Sequence, residues 1–126
     1  MIDPQIELTA KTILNACIKI HKHLGPGLLE SVYENCLAYE LRKLGHHVQQ
    51  QETVSILYEG INVGPAYKAD LIIDGVLILE LKSTHKLIPA NTAQLLTYMR
   101  LGNFKIGFLL NFGQPLMMDG VKRYVL

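Results

Sequence analysis

The chain has no tryptophan, only two cysteines, a net charge of +1 and no long apolar run. Each of these absences removes a class of protein. No window approaches the roughly 20 uninterrupted apolar residues that span a bilayer. The opening "MIDPQIELTAK" also lacks the basic-then-apolar order of a signal peptide, so a soluble, cytoplasmic protein with no membrane role is expected. Cys17 and Cys36 show no CxxC or Cys/His spacing, which suits buried free thiols in a reducing compartment better than a disulfide or a zinc site. With a sequence pI of about 7.8 there is no general basic excess, so any polyanionic partner must be met by a local cluster. Internal repeats, low-complexity segments and charged tails are missing as well.

What is present is 126 residues, 49% of them apolar, enough for one domain, residues 1–126, that buries about two-thirds of its unfolded surface. Asp3-Pro4 reads as a helix start, with a cap residue followed by proline in the first turn. Ile6, Ala10, Ile13, Cys17, Ile20 and Leu24 then recur at helical steps until Gly25-Pro26-Gly27 breaks the pattern. A second helix is expected from about Leu28 to Leu44, with Leu29, Tyr33, Leu37, Leu41 and Leu44 inward. Val54, Ile56 and Tyr58 alternate with polar neighbours, as in a half-buried strand. Two more strands follow, from about Tyr67 to Ile73 and from Val76 to Lys82, joined at Asp74-Gly75. A third helix runs from Pro89 to about Leu101 with Ala93 or Gln94, Leu95, Tyr98 and Leu101 inward, then come "FKIGFLLNFG" as a buried strand and "VKRYVL" as a short edge strand. The fold class is α/β in the α+β sense, order ααβββαβ(β), with a mixed sheet of four to five strands flanked by helices.

Residues 67 to 82, "YKADLIIDGVLILELK", carry Asp70, Glu80 and Lys82 inside an apolar run. Burying an unpaired carboxylate is so costly that the group usually takes up a proton instead. Strand alternation puts Glu80 and Lys82 on one face and Leu77, Leu79 and Leu81 on the other. With a two-residue loop at Asp74-Gly75, Asp70 opposes Leu79 and lies on the wrong side. A three-residue loop of Ile73, Asp74 and Gly75 puts Asp70 opposite Ile78, diagonal to Glu80 and on its face. Convergence therefore requires an odd loop.

Converged carboxylates repel unless one is protonated or a cation lies between them. A hard divalent ion such as Mg²⁺ suits such a pair, and Lys82 could orient or help deprotonate a water and offset charge on a phosphate. An ion pair of Lys82 with Glu80 or Asp70 at a strand end is the competing reading. Glu30 falls on the inward stripe of the second helix, three residues before Tyr33, although a first-turn Glu also serves as a helix-dipole partner. Gln94 and Tyr98 are four apart and share a helix face, which also fits one solvated and one core residue.

Asp70 followed by Glu80-Leu81-Lys82 resembles the signature of the PD-(D/E)XK nuclease superfamily, whose core order of helix, three strands, helix and strand matches the one above. Gln94 to Tyr98, "QLLTY", looks like the QxxxY motif of its RecB-like branch, and Gly27 to Tyr33, "GLLESVY", matches the pattern that names the GxxExxY proteins. The resemblance covers essentially the whole chain, and Ala69 stands where the superfamily's name has proline. It implies a restriction-endonuclease-like core in which Asp70 and Glu80 ligate Mg²⁺ or Mn²⁺, with the Leu81 carbonyl as a third ligand. It further implies Lys82 assisting the nucleophilic water, Glu30 binding metal directly or through water, Gln94 positioning the site or the substrate backbone, and Tyr98 supporting it.

Of the five histidines, His21, His23, His46 and His47 read as surface residues and His85 as a residue near the phosphate. Lys68, Lys86, Arg100 and Lys105 could add local positive potential or be a scattered solvated set. The expected function is metal-dependent hydrolysis of phosphodiester bonds in nucleic acid, DNA before RNA, with a homodimer or partner protein to supply surface. The alternative is a non-catalytic nucleic-acid-binding or assembly module that keeps the nuclease fold.

Overall fold

A computed structural model describes residues 2–126 of the protein. Its elements are α1 (Pro4–Leu24), α2 (Glu30–Lys43), β1 (Val48–Tyr58), β2 (Ile61–Ile73), β3 (Leu77–Lys82), α3 (Pro89–Gly102), β4 (Ile106–Asn111), a 3-10 turn at Met117–Gly120 and β5 (Val121–Val125). The strands form one five-stranded sheet in chain order. Every neighbouring pair is antiparallel except β3–β4, where α3 provides the long crossover that parallel strands need. This is the α+β architecture expected, consistent with a restriction-endonuclease-like core.

The helix boundaries follow local chemistry. Asp3 caps α1 by accepting the Gln5 N–H at 2.7 Å with Pro4 in the first turn. α2 is shorter than the apolar spacing predicts, so Leu29 is 75% exposed and Leu44 is exposed too, instead of pointing inward. The stripe it does bury is Tyr33, Glu34, Leu37, Ala38 and Leu41. On α3 the buried pair is Leu95 and Met99. Leu101, two residues past Met99 and so on the other side of the helix, is exposed. His21 is buried rather than superficial, because its Nε2 lies 2.8 Å from the Gln114 carbonyl of the segment before the 3-10 turn.

The sheet separates two cores. Leu71, Ile73, Leu77, Leu79 and Leu81 pack with α1 and α2, whereas Ile72 and Ile78 pack with Leu95 and Met99 of α3. Residues of one parity on a strand should stay on one face. The β1–β2 hairpin breaks this: Val48 and Leu71 belong to the α1/α2 core, but Val54, Tyr67 and Ala69 pack with α3. The hairpin thus exchanges faces between those positions, at Gln51 and Asp70. Tyr67 completes the exchange by stacking on Tyr98 of α3, ring centroids 4.0 Å apart. Beyond the exchange the strands run on to a tip where Tyr58, expected to be buried, is exposed along with Leu57 and Ile61.

The link from α1 to α2 is held from below. Tyr33, fully buried and stacked 4.5 Å from Phe112, donates its hydroxyl to the Gly25 carbonyl at 2.6 Å and accepts the Leu28 N–H at 3.1 Å. Ser83, just past β3, donates to the Leu28 carbonyl at 2.6 Å. The start of α2 is therefore tied to the end of β3. Tyr33→Phe leaves two loop groups without their partner and is expected to lower unfolding free energy by about 1–3 kcal/mol in a denaturant titration, with no change in the slope of the transition.

Candidate active site

The β2–β3 ladder decides where the charges meet. Ile73 pairs with Leu77 and Leu71 with Leu79, the last pair of the ladder; carried one step further, that register sets Asp70 across from Glu80. The odd loop that convergence requires is present, one residue further along than expected: it is Asp74-Gly75-Val76. Asp74 and Gly75 both take positive φ, 53° and 70°, and the Val76 N–H donates to the Ile73 carbonyl at 3.0 Å. Both central residues of a tight turn at positive φ match the twist of the flanking strands. Asp74 holds its strained backbone by accepting the His47 N–H at 2.9 Å and contacting His46 Nδ1 at 2.7 Å. That contact half-buries His46.

At Asp70 side chains replace the ladder. Its Oδ2 accepts the Leu81 N–H at 2.9 Å, while Glu80 Oε1 lies 3.4 Å from the Asp70 N–H. The strands part here, and the two carboxylates fill the gap. Lys82 O accepts the Phe112 N–H on the β4 side at 2.8 Å. By strand alternation the Leu81 carbonyl therefore points, with its N–H, toward the gap. Lys82 follows on Glu80's face, half-buried, and among the described residues no ion pair joins it to Asp70 or Glu80.

The strand end is fixed by Asn111, which pairs with Lys82 across the parallel ladder. Only 1% exposed, Asn111 accepts the Thr84 and Gly113 N–H groups and donates to the Thr84 carbonyl, each at 3.0 Å. A Cβ on Gly113 would lie 2.1 Å from that carbonyl, so only glycine lets the two segments approach this closely.

The helices contribute unequally. Glu30 is exposed at the start of α2, and no hydrogen bond joins it to the pair among the described residues. The carboxylate of α2 that is connected to the pair is Glu34, one turn later and only 8% exposed. It accepts Gln51 Nε2 at 2.6 Å, and the same nitrogen reaches Asp70 Oδ1 at 3.1 Å. Sequence reasoning missed both residues. Glu34 had a signal, lying four after Glu30 and three before Leu37 on the inward side. On α3, Tyr98 is half-buried behind the pair and Gln94 is exposed. Lys68, Lys86, Arg100, Lys105 and His85 are exposed. An open groove of about 910 Å³ lies elsewhere, between α1 and α2, lined mainly by apolar surface from Ile18, Cys36 and Tyr39. It shares no residue with the carboxylates.

Glu80 is 5% exposed, and its carboxyl is pushed up to about 9, first by burial and then by the charge of Asp70, with Lys82 pulling the other way. The Tyr98 hydroxyl is raised by burial and by Glu80 and Asp70, and opposed by Gln94. Both shifts come first from burial and then from neighbouring carboxylate charge. No three His, Cys, Asp or Glu side chains among the described residues form a ready-made metal cluster. The donor set is nonetheless all oxygen: two facing carboxylates and a backbone carbonyl turned into the gap. Mg²⁺ accepts such a set, taking one or two carboxylates and keeping water on its other positions.

The raised Glu80 carboxyl fixes the sign of a pH effect. In the unfolded chain the group titrates near the ordinary glutamate value of 4.5, and in the fold at about 9. Between those values the unfolded chain releases a proton that the folded protein keeps. Stability is thus greatest below the lower value and is lost as pH rises to the upper one. For the metal-free protein we expect unfolding free energy to fall steadily as the pH rises from about 5 to about 9. Glu80→Gln is expected to flatten that slope, as measured by denaturation across the range.

No curated protein and no solved structure matches the chain. A family comparison does match, over residues 7–124, and takes in every residue of the carboxylate site. The two facing carboxylates and the lysine on their face lie inside that match, and the chain belongs to the PD-(D/E)XK nuclease superfamily.

Proposed function

We propose that the protein is a metal-dependent nuclease that hydrolyses phosphodiester bonds, with DNA as the first substrate to test, and that it falls in the GxxExxY group with a RecB-like QxxxY element. The observation that carries this reading is Asp70 directly across from a buried Glu80 at a gap in the ladder. Asp70, Glu80 and the Leu81 carbonyl would hold Mg²⁺ or Mn²⁺, with Glu30 or Glu34 reaching it through water. The ion would neutralise phosphate charge and acidify a bound water.

The chain's own groups do the rest. Lys82 carries a proton-donating ammonium on the carboxylates' face, where it orients the attacking water and balances charge on the phosphate. Asp70 supplies the negative charge that draws the cation in, and Glu80 gives up its proton on ligating it. Tyr98 would support the pair from α3, and Gln94, exposed one turn before it, would meet the substrate backbone.

The test is a Mg²⁺ and Mn²⁺ titration against single-stranded, duplex and branched DNA and against RNA. Lys82→Ala and Asp70→Asn are each expected to lower cleavage at least about 100-fold. Cleavage that survives both substitutions comes from a contaminant and sinks the proposal. Calorimetry at pH 7 in buffers of different ionisation enthalpy should show about one proton released per cation bound, because Glu80 must ionise to ligate it. A protein that binds no divalent cation even with nucleic acid present would instead be a binding or assembly module.

A further inference from the structure

Gln50 and Gln51 are consecutive on β1, and consecutive strand residues point to opposite faces. Here both amides reach one carboxylate, Gln50 donating to Glu34 Oε2 at 3.0 Å and Gln51 to Glu34 Oε1 at 2.6 Å. The backbone of Gln51 permits this. Its φ of 50° lies in the left-handed region, unfavourable for a residue with a Cβ. The register is unshifted around it, with Gln50 opposite Leu71 and Glu52 opposite Ala69. Gln51 is therefore not an inserted residue but one rotated in place, directly across from Asp70.

Attachment of α2 to the strand does not need that strain. Gln50 alone bonds Glu34 and Asn35, and Arg42 adds bonds to Gln50 Oε1 and the Val48 carbonyl. What Gln51 alone supplies is its bond to Asp70 Oδ1 at 3.1 Å. Together with the Leu81 N–H on Oδ2, this gives Asp70 a fixed donor on each oxygen and leaves one lone pair of each for another partner. Local strain kept at a polar cluster points to a functional constraint.

We propose that Gln51 is a positioning residue of the metal site: its amide orients Asp70 and couples it to Glu34, preorganising the carboxylates before a cation arrives. The inference rests on reading Asp70 and Glu80 as the metal ligands. Partners that orient a ligand from outside the coordination sphere are typically worth about 10–100-fold in metal affinity.

The experiment is calorimetric Mn²⁺ binding paired with thermal unfolding of the full chain. Gln51→Gly suits the left-handed backbone and removes the amide; it should melt within about 4 °C of wild type and bind Mn²⁺ about 10–100-fold more weakly. Gln50→Ala removes only the tether and should bind Mn²⁺ like wild type. If the glycine variant fails to fold, Gln51→Asn, which tolerates the same backbone but is one methylene too short to span both carboxylates, should show the same loss of affinity. Wild-type affinity in the Gln51 variant that folds overturns the positioning role and leaves the metal reading standing. A wild-type protein that binds neither Mn²⁺ nor Mg²⁺ overturns both.

Discussion

Two carboxylates that face each other across a parted ladder, one of them shut away from water, cannot both be charged unless something positive joins them. Asp70 and Glu80 are in that position, and much of the surrounding structure either creates the predicament or limits it. The turn at Asp74-Gly75 sets the rung, Leu81 and Gln51 immobilise Asp70, and Lys82 is kept close without closing an ion pair. Left alone, Glu80 resolves the conflict by holding a proton. A cation would resolve it by displacing that proton, so the same two groups can alternate between an acid pair and an ionised site. A fold selected for stability alone would replace them with hydrocarbon, which fits the space without a desolvation cost.

The outer shell serves this constraint from three directions. α2 supplies Glu34, α3 supplies Tyr98, and the adjoining strand β4 supplies Asn111, which fixes the chain immediately after Lys82. The tyrosine of the Gly27–Tyr33 segment works differently. Tyr33 touches none of the charged groups, and its hydroxyl is spent on the loop that brings α2 in at the right height. Within the Gly27–Tyr33 segment, the tyrosine's bonds are therefore to the backbone of the α1–α2 link.

Element order was legible because the periodicities are strong and the breaks, Gly25-Pro26-Gly27 and Gly102-Asn103, are unambiguous. The odd loop between β2 and β3 was legible too, since alternation leaves only odd loops able to bring Asp70 toward Glu80. The rung was not, because it depends on Asp74, rather than a glycine alone, adopting positive φ. Leu29, Leu44 and Leu101 were misplaced for one reason: a helical stripe continues in sequence past the point where the helix stops or the core runs out. Glu34 and Gln51 were hidden by their type. A glutamate in a helix and a glutamine in the run Gln49-Gln50-Gln51 look like solvated residues until a backbone rotation, invisible in sequence, turns one toward the other.

The exchange of faces in the β1–β2 hairpin has a mechanical side. Up to Gln51 and Asp70 the hairpin turns Val48, Leu71 and Ile73 to the layer of α1 and α2; beyond them, positions of the same parity turn to α3, where Tyr67 stacks on Tyr98. The hairpin is a lever laid across two plates, and its fulcrum is the residue that faces Glu80. Asp70 and Gln51 are therefore the place where the packing of the hairpin passes from one helical layer to the other, so the site sits on the seam between the two cores.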